Sequence, residues 1–337
     1  VVLRKSIVTV ALCAIALAGD AQAGGFNIYE MGARATALGG AFTATADDGS
    51  AMFYNPAGLA WLEEGWHFSG NLSLIMPGSK FRKAPGVVGY PGNETAETKD
   101  AIFTPGGLYA SYRYDDEWSF GFGVFTPFGL GVEWDDPDEF PGRSLATNSQ
   151  IQGFYVSPMV TWRPHETFAV SVGGHAVITH LLLERIVVGG TDLATNLADF
   201  ELEGVSNLAF GPAAGIMYKP NERLSFGLNF KGGVTNEFED QDALLDFRGG
   251  DSLDRSDLTV SGELDYPSIT ALGVRGLATE KLALMFDFVF FDWSVFDEVA
   301  LNFNDPTFDT VLEENYDDGY QYRFGAEYFL DENTSLL

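Results

Sequence analysis

Cysteine and positive charge are scarce in this chain of 337 residues. It has one cysteine, Cys13, and 19 lysine and arginine residues against 48 aspartate and glutamate residues, so its formal net charge is −29. A lone cysteine excludes an intrachain disulfide framework. The acidic balance excludes a nucleic-acid-binding protein, because such proteins present basic surface to the phosphate backbone.

Long apolar runs are also absent beyond the first residues. Arg4 and Lys5 precede the apolar stretch SIVTVALCAIALAG, and the small residues AQA end at Ala23. A basic start, an apolar stretch and a small-residue end are typical of a secretory signal peptide. The stretch is shorter than the roughly 20 residues that a membrane-spanning helix needs. We therefore expect residues 1–23 to be a cleaved signal peptide and the rest of the chain to be exported.

Beyond residue 64, large apolar residues alternate with small or polar ones. The stretch 224–231, for example, reads LSFGLNFK. Such alternation predicts β-strands with one apolar face. The same pattern recurs in 66–76, 108–114, 118–124, 154–163, 168–173, 212–219 and 320–328. The predicted fold class is therefore all-β.

Short and long connections alternate between these strands. The short ones are DDE at 115–117, PHET at 164–167, PNER at 220–223, LATEK at 277–281 and DENT at 331–334. The long ones are acidic and lie at about 77–100, 135–150, 189–207, 239–257 and 298–316. Outer-membrane barrels have short turns at one end and long loops at the other. We therefore predict a transmembrane antiparallel β-barrel over residues 64–337, with a secreted β-sandwich as the alternative.

The residues before the first strand do not alternate. Residues 24–63 are small, glycine-rich and apolar, as in MGARATALGGAFTA and AMFYNPAGLAW. They suit neither a strand nor a solvated tail, so we predict a plug inside the barrel. Five hairpins make ten strands, and TSLL lies where an eleventh would begin. Because an open sheet edge is costly in lipid, we expect this barrel to be incomplete at its C-terminus.

Short motifs follow one another in order along the chain. They are Gly25-Phe26, Glu30, Gly39-Gly40-Ala41-Phe42, Asp47-Asp48, Asn55-Pro56-Ala57, FGLG at 128–131, SFGLNF at 225–230 and DWSVF at 292–296. In this set the chain resembles the FadL family, outer-membrane transporters of long-chain fatty acids and related hydrophobic compounds. The resemblance implies a Gram-negative outer membrane. It also implies a barrel of about fourteen strands, of which about ten are present here, around an N-terminal hatch.

The resemblance further implies a transport route. A hydrophobic ligand, a long-chain fatty acid in the first place, would be captured by extracellular loops and pass to a pocket near the hatch N-terminus. It would then leave sideways through a kink in the third strand. Asn55, Pro56 and Ala57 form the hatch motif. Phe26 is the candidate for the pocket, and the alternative is that Phe26 only packs the hatch against the wall.

The third strand, WSFGFGVFTPFGLGVEW at 118–134, favours a kink. Pro127 has no N–H to donate to the ladder, and Gly129 and Gly131 permit a bend. A gap beside Phe128 would then be the lateral exit, and the Phe128 side chain would contact the ligand as it leaves. The alternative is that Pro127 simply ends the strand.

The connection at 189–207 contains a candidate capture element. Leu193, Leu197 and Phe200 are spaced i, i+4 and i+7, so a short helix here would carry an apolar stripe. That stripe would either form the wall of an external groove or pack on neighbouring loops.

No catalytic, metal or cofactor site is expected. The four histidines, His67, His165, His175 and His180, are interpreted as solvated or wall residues. The acidic loops contain no calcium-binding loop motif. We therefore expect a monomeric transporter, not an enzyme, whose partners are a hydrophobic ligand and outer-membrane lipid.

The ligand stays open at this point. Aromatic hydrocarbons would suit the same architecture, and a general porin and an outer-membrane hydrolase are the alternatives of other classes. The candidates for binding a ligand carboxylate are Arg34, Arg113, Arg163 and Lys231.

Overall fold

Helix is confined to short pieces of the chain. The computed structural model describes residues 25–84, 92–189, 195–249, 254–331 and 334–337. In these ranges the helices are α1 (Ala33–Ala37) and α2 (Ala51–Tyr54), with 3₁₀ turns at Pro56–Trp61, Trp293–Val295 and Pro306–Phe308. None of the helices described is long and apolar enough to cross a membrane.

Strands make up most of the described chain, which confirms the all-β prediction. In chain order they are β1 (Gly65–Leu72), β2 (Lys80–Arg82), β3 (Thr95–Glu97), β4 (Gly106–Arg113), β5 (Trp118–Glu133), β6 (Asn148–His165), β7 (Phe168–Gly189), β8 (Thr195–Val205), β9 (Ala209–Asn221), β10 (Leu224–Lys231), β11 (Val234–Phe247), β12 (Arg255–Tyr266), β13 (Ile269–Thr279), β14 (Leu282–Phe291), β15 (Glu298–Phe303), β16 (Thr310–Glu313), β17 (Gly319–Phe329) and β18 (Ser335–Leu336).

One antiparallel sheet forms the wall, and β2 and β3 form a separate hairpin. The first five wall strands are β1, β4, β5, β6 and β7. One edge of β7 pairs with β9 over residues 168–177 and with β8 over residues 180–189. The sixth wall strand is therefore β8 plus β9, with an interruption between them. The seventh to tenth are likewise β10–β11, β12–β13, β14–β15 and β16–β17, and β18 pairs with β17.

Three of the predicted long loops are wrong over much of their length. Most of 189–207 is β8, 239–257 contains the second half of β11 and the start of β12, and 298–316 contains β15 and β16. Acidic side chains such as Glu201 and Glu203 alternate with buried Phe200 and Leu202 here. Acidic residues in a strand above the lipid-facing band resemble those of a loop, which explains the error.

The outer face of the wall carries an apolar band. Near the short turns, Trp118 and Trp162 are 40% and 42% exposed, and their rings stack 6.1 Å apart. Nearer the long loops the same face becomes polar, where His180 pairs with Glu203 at 2.9 Å. An apolar band with aromatic residues at its edge is the surface that a membrane barrel presents to lipid.

Residues 25–62, here called the N-terminal segment, lie on the inner side of this wall. The Asn71 amide on β1 donates to the Glu30 carbonyl at 3.0 Å, and Arg34 pairs with Glu327 on β17 at 3.0 Å. One short segment contacts both the first and the tenth wall strands because the sheet curls around it. Within the described ranges β1 pairs only with β4 and β18 only with β17, so no ladder joins β1 to β18.

Candidate functional site

The third wall strand is irregular at Thr126 and Pro127. Phe125 pairs with Tyr155, and the next pair is Phe128 with Gly153. Three residue steps on β5 thus face two on β6, which is a β-bulge. β5 continues to Glu133, so Pro127 lies inside the strand and does not end it.

A piece of the N-terminal segment occupies the free edge of β5 beside this bulge. The last residue pair between β4 and β5 is Gly107 with Phe125. Beyond it, the Ile28 N–H donates to the Pro127 carbonyl at 2.7 Å, and the Gly129 N–H donates to the Phe26 carbonyl at 3.0 Å. Residues 26–28 therefore act as a short strand that fills the wall from inside.

A pocket of about 310 Å³ lies at this point of the wall. Ile28, Phe103 and Phe128 supply apolar lining, and Gln152 and His180 supply polar groups. A Cβ on Gly131 would lie 2.0 Å from the Phe103 ring, so only glycine permits this approach. No lysine or arginine is among the described residues of the lining.

The Phe26 side chain is buried in a cluster of aromatic rings. Its ring centroid lies 4.7 Å from that of Trp293, 5.6 Å from Phe296 and 6.0 Å from both Phe128 and Tyr266. Phe128 and Tyr266 stack at 4.4 Å. Phe26 thus connects the third wall strand with the 3₁₀ turn that interrupts the ninth.

A second pocket, of about 500 Å³, lies beside Phe26 and shares Gly129 and Leu130 with the first. Phe26, Leu130, Trp293 and Tyr316 line it together with Asp317. Sequence reasoning missed Trp293, Phe296 and Tyr266. The motif DWSVF was the available signal for the first two, and nothing local marked Tyr266, which comes close only through the sheet.

The Asn55-Pro56-Ala57 motif attaches the N-terminal segment to the wall. The Asn55 amide donates to the carbonyls of Thr43 at 2.9 Å and Ile216 on β9 at 3.0 Å. The Thr161 hydroxyl on β6 donates to the Pro56 carbonyl at 2.9 Å. Because these groups are buried, losing any of them would leave unpaired polar atoms.

The helical capture element predicted at Leu193, Leu197 and Phe200 is wrong. Leu193 lies outside the described residues, and the other two belong to β8, which pairs with β7 and β11. As a strand, β8 forms backbone hydrogen bonds with neighbours on both edges, and these bonds would be lost if the same residues formed a helix. Leu197 is 41% exposed, whereas Phe200 is 5% exposed and contacts Arg185 and Phe303, away from Phe26.

The candidate carboxylate-binding residues lie away from both pockets. Arg34 pairs with Asp47 and Glu327, and Arg113 pairs with Asp116. Arg163 donates to the Ala60 carbonyl at 3.4 Å. Lys231 is 5% exposed, with its ammonium 4.1 Å from the Phe53 ring centroid. In the described ranges no cluster of His, Cys, Asp or Glu could hold a metal ion.

Comparison with known proteins assigns the chain to a family. Residues 14–336 match the family model described as outer membrane protein transport protein (OMPP1/FadL/TodX). The chain belongs to this family. It is therefore an outer-membrane transporter of hydrophobic compounds from a Gram-negative bacterium, and not an enzyme.

Individual members of the FadL family match most of the chain. Outer membrane protein P1 of Haemophilus influenzae is 25% identical, covering 95% of this chain and 76% of that protein. The long-chain fatty acid transport protein of Salmonella typhi is 22% identical, covering 99% and 81%. The crystal structure of the Ralstonia pickettii toluene transporter TbuX superposes with a TM-score of 0.70 at 19% identity, covering 92% and 85%. This likeness confirms the predicted barrel fold.

Proposed function

We propose that the chain carries long-chain fatty acids from the extracellular loops to the Phe26 pocket and releases them sideways through the third wall strand. In this proposal the N-terminal segment is the hatch of a monomeric barrel. Release requires residues 26–28 to leave the edge of β5. The pocket at Gly131 and Phe103 would then join the 500 Å³ pocket beside Phe26.

One observation carries this proposal. The wall at Pro127 is completed by a segment that is not a neighbouring wall strand, through the backbone bonds of Phe26 and Ile28. A gap in lipid is costly because its backbone groups find no water. Only two backbone hydrogen bonds close the wall here, and two pockets and an aromatic cluster lie beside them. This arrangement supports an opening through which ligand passes.

Aromatic hydrocarbons are the second candidate ligand. The described linings of both pockets lack lysine and arginine, and the ring cluster around Phe26 suits flat apolar molecules. The likeness to a toluene transporter agrees with this alternative. Competition separates the two: excess toluene should suppress oleate uptake only if both use the Phe26 pocket.

The test is a reversible disulfide bond between cysteines introduced at Asn27 and Phe128, here called the Asn27/Phe128 lock. These residues form an isolated antiparallel bridge, and the bonds on either side make it a non-hydrogen-bonded pair with Cα atoms about 4.5 Å apart. That spacing suits a disulfide. We expect Asn27→Cys with Phe128→Cys, in a Cys13→Ala background, to lose oleate uptake when oxidised and regain it on reduction.

The matched control is a lock inside the permanent ladder. Phe120→Cys with Val160→Cys joins β5 to β6 on the exposed outer face, where these residues pair directly, and should leave uptake unchanged in both redox states. Uptake by the oxidised Asn27/Phe128 lock equal to that of its reduced form would contradict lateral release at this site.

A further inference from the structure

Asp287 on β14 and Arg323 on β17 are opposite charges that do not pair. They face each other directly in the antiparallel ladder, and their exposures are 0% and 8%. Side chains in such positions have Cβ atoms about 4.5–5.5 Å apart, within reach of an ion pair. Each nevertheless has a buried atom without a hydrogen-bond partner: Asp287 Oδ1 and Arg323 Nη1.

The N-terminal segment holds the Asp287 carboxylate. Its Oδ2 accepts hydrogen bonds from the backbone N–H groups of Phe42 at 2.9 Å and Thr43 at 2.8 Å. Hydrogen bonds to a charged acceptor are among the stronger ones. Asp287 therefore stabilises the docked position of the segment.

The same segment also holds Arg323. The guanidinium carbon lies 3.2 Å from the centroid of the Tyr29 ring of the segment, while Nε and Nη2 donate to Gln321 on the same strand as Arg323. Gly40, in the left-handed region at φ +76°, brings the backbone against this side chain, where a Cβ would lie 3.2 Å from Arg323 Cδ. The segment thus provides separate partners for two charges that would otherwise be partners of each other.

We propose that Asp287 and Arg323 are positioning residues with two arrangements. In the sealed wall they hold the N-terminal segment, and when the segment withdraws they form an ion pair with each other. The inference rests on the proposed function and extends the movement of residues 26–28, which release requires, to residues 29–43 of the same segment. The alternative pair lowers the cost of opening, because each charge exchanges the partner it has in the segment for the opposite charge across the ladder.

Two substitutions at Arg323 separate this proposal from a purely structural role. Both Arg323→Met and Arg323→Lys remove the guanidinium from the Tyr29 ring, so a structural role predicts that both loosen the segment. Our proposal predicts opposite directions. Arg323→Met leaves Asp287 without its partner in the open state and should slow opening about tenfold, the scale of one lost hydrogen bond to a charged group. Arg323→Lys keeps a cation for Asp287 and should open at least as fast as the parent.

Opening is measured as thiol labelling at Ala44→Cys in a Cys13→Ala background. Ala44 is 2% exposed, so a maleimide reaches this site only when the segment leaves. Labelling rates are compared with and without saturating oleate. Arg275→Met is the matched control, since Arg275 also has a buried Nε without a partner but pairs with Met285 and Ser225 instead of Asp287. It should label at the parent rate.

The outcomes separate the two proposals. Oleate-stimulated labelling that is about tenfold slower in Arg323→Met alone supports the alternative ion pair. Stimulated labelling of Arg323→Met at or above the parent rate overturns the ion pair and leaves the proposed withdrawal standing. If oleate fails to stimulate labelling of the parent, the segment around Ala44 does not withdraw and the inference about Asp287 and Arg323 is overturned, while release through movement of residues 26–28 alone still stands and is tested by the disulfide between residues 27 and 128.

Discussion

Two wall strands depart from regular pairing on either side of Phe26, the third at Pro127 and the ninth at Trp293–Val295, and the two irregular places are filled in different ways. In the third strand, the edge beside Pro127 is filled by residues 26–28, about a hundred positions away in the sequence. In the ninth, Phe291 and Phe303 are 12 residues apart while their partners Ile269 and Val260 are 9 apart, so three extra residues bulge inward.

The bulge in the ninth strand seals itself. Its 3₁₀ turn, Trp293–Val295, places the Trp293 ring in the interior, where the side chain is 1% exposed. A seal built from the strand's own residues cannot leave without unfolding the strand. Residues 26–28, which belong to another part of the chain, can leave the edge of β5 while the wall strands remain folded. We therefore expect substitutions at the ninth strand to change stability, and substitutions at the third strand to change transport.

Trp293→Ala should have the largest effect on stability. Removing a buried tryptophan leaves a cavity and typically costs about 3–5 kcal/mol. The measurement is the heating temperature at which the folded band is lost on an unboiled gel. Trp66, 65% exposed on the outer face, offers the control, and Trp66→Ala should be close to the parent. Equal stability of the two variants would show that Trp293 seals nothing.

Asn55→Ala should loosen the attachment that the segment makes elsewhere. The Thr43 carbonyl would be left buried and unpaired, at about 1–3 kcal/mol before relaxation, and the partly buried bond to the Ile216 carbonyl would be lost as well. We expect faster labelling at Ala44→Cys without ligand. Asn71→Ala, which removes one bond near the exposed edge at β1, is the milder control. Identical rates in both variants would argue that Asn55 is no attachment point.

Pro127→Val should act on transport at little cost to the fold. Valine has an N–H and a higher strand propensity, so the bulge in β5 should straighten and narrow the exit. We expect oleate uptake to fall about tenfold, a change of about 1.4 kcal/mol, with heat stability held or raised. Pro158→Val on β6, paired with Phe122 in a regular stretch, is the matched control. Unchanged uptake in a straightened strand would refute the exit at Pro127.

The smallest effect is expected at a contact that touches neither interruption. Arg248, which follows β11, pairs with Asp138 at 2.6 Å and with Asp199 on β8 at 2.6 Å, and its hydrogen bond lowers the pKa of Asp138. A lowered pKa in the folded state means that the contact stabilises above the unfolded pKa of about 3.9 and is lost as pH falls through the folded value. Hydrogen exchange in 136–146, corrected for intrinsic rates, should accelerate below about pH 4 and lose this step in Arg248→Met. Uptake at neutral pH should be unchanged in that variant.

Local patterns predicted the strands and the short turns well. Alternation of apolar and polar residues indicates a strand with one buried face, as in β10 and β17. This signal lies within the strand itself and does not depend on which strands lie beside it. The same patterns failed for β8 and β11, because acidic side chains on an outer face above the lipid band look like those of a loop. A helix-like spacing of Leu197 and Phe200 could not reveal that both edges of that stretch find strand partners.

The candidate site was predictable only in part. Pro127, Gly129 and Gly131 carry a local signal, since proline cannot donate a backbone hydrogen bond to the ladder and glycine permits the strand to bend. That residues 26–28 would complete the wall there depends on a contact across a hundred positions, which no local pattern encodes. Tyr266, Asp287 and Arg323 are likewise defined by which residues the sheet places opposite them.

The way the N-terminal segment reaches across the wall has a consequence for the order of folding. Arg34 bonds Glu327 across 293 positions of sequence, and the Asn55 amide bonds a carbonyl 161 positions away. Contacts so distant form late, because the chain between them must be ordered first. The N-terminal segment, although it is synthesised before the wall, therefore docks after it. Until it docks, the edge of β5 beside Pro127 lacks the bonds that Phe26 and Ile28 supply, so this part of the wall is completed only in the last folding step.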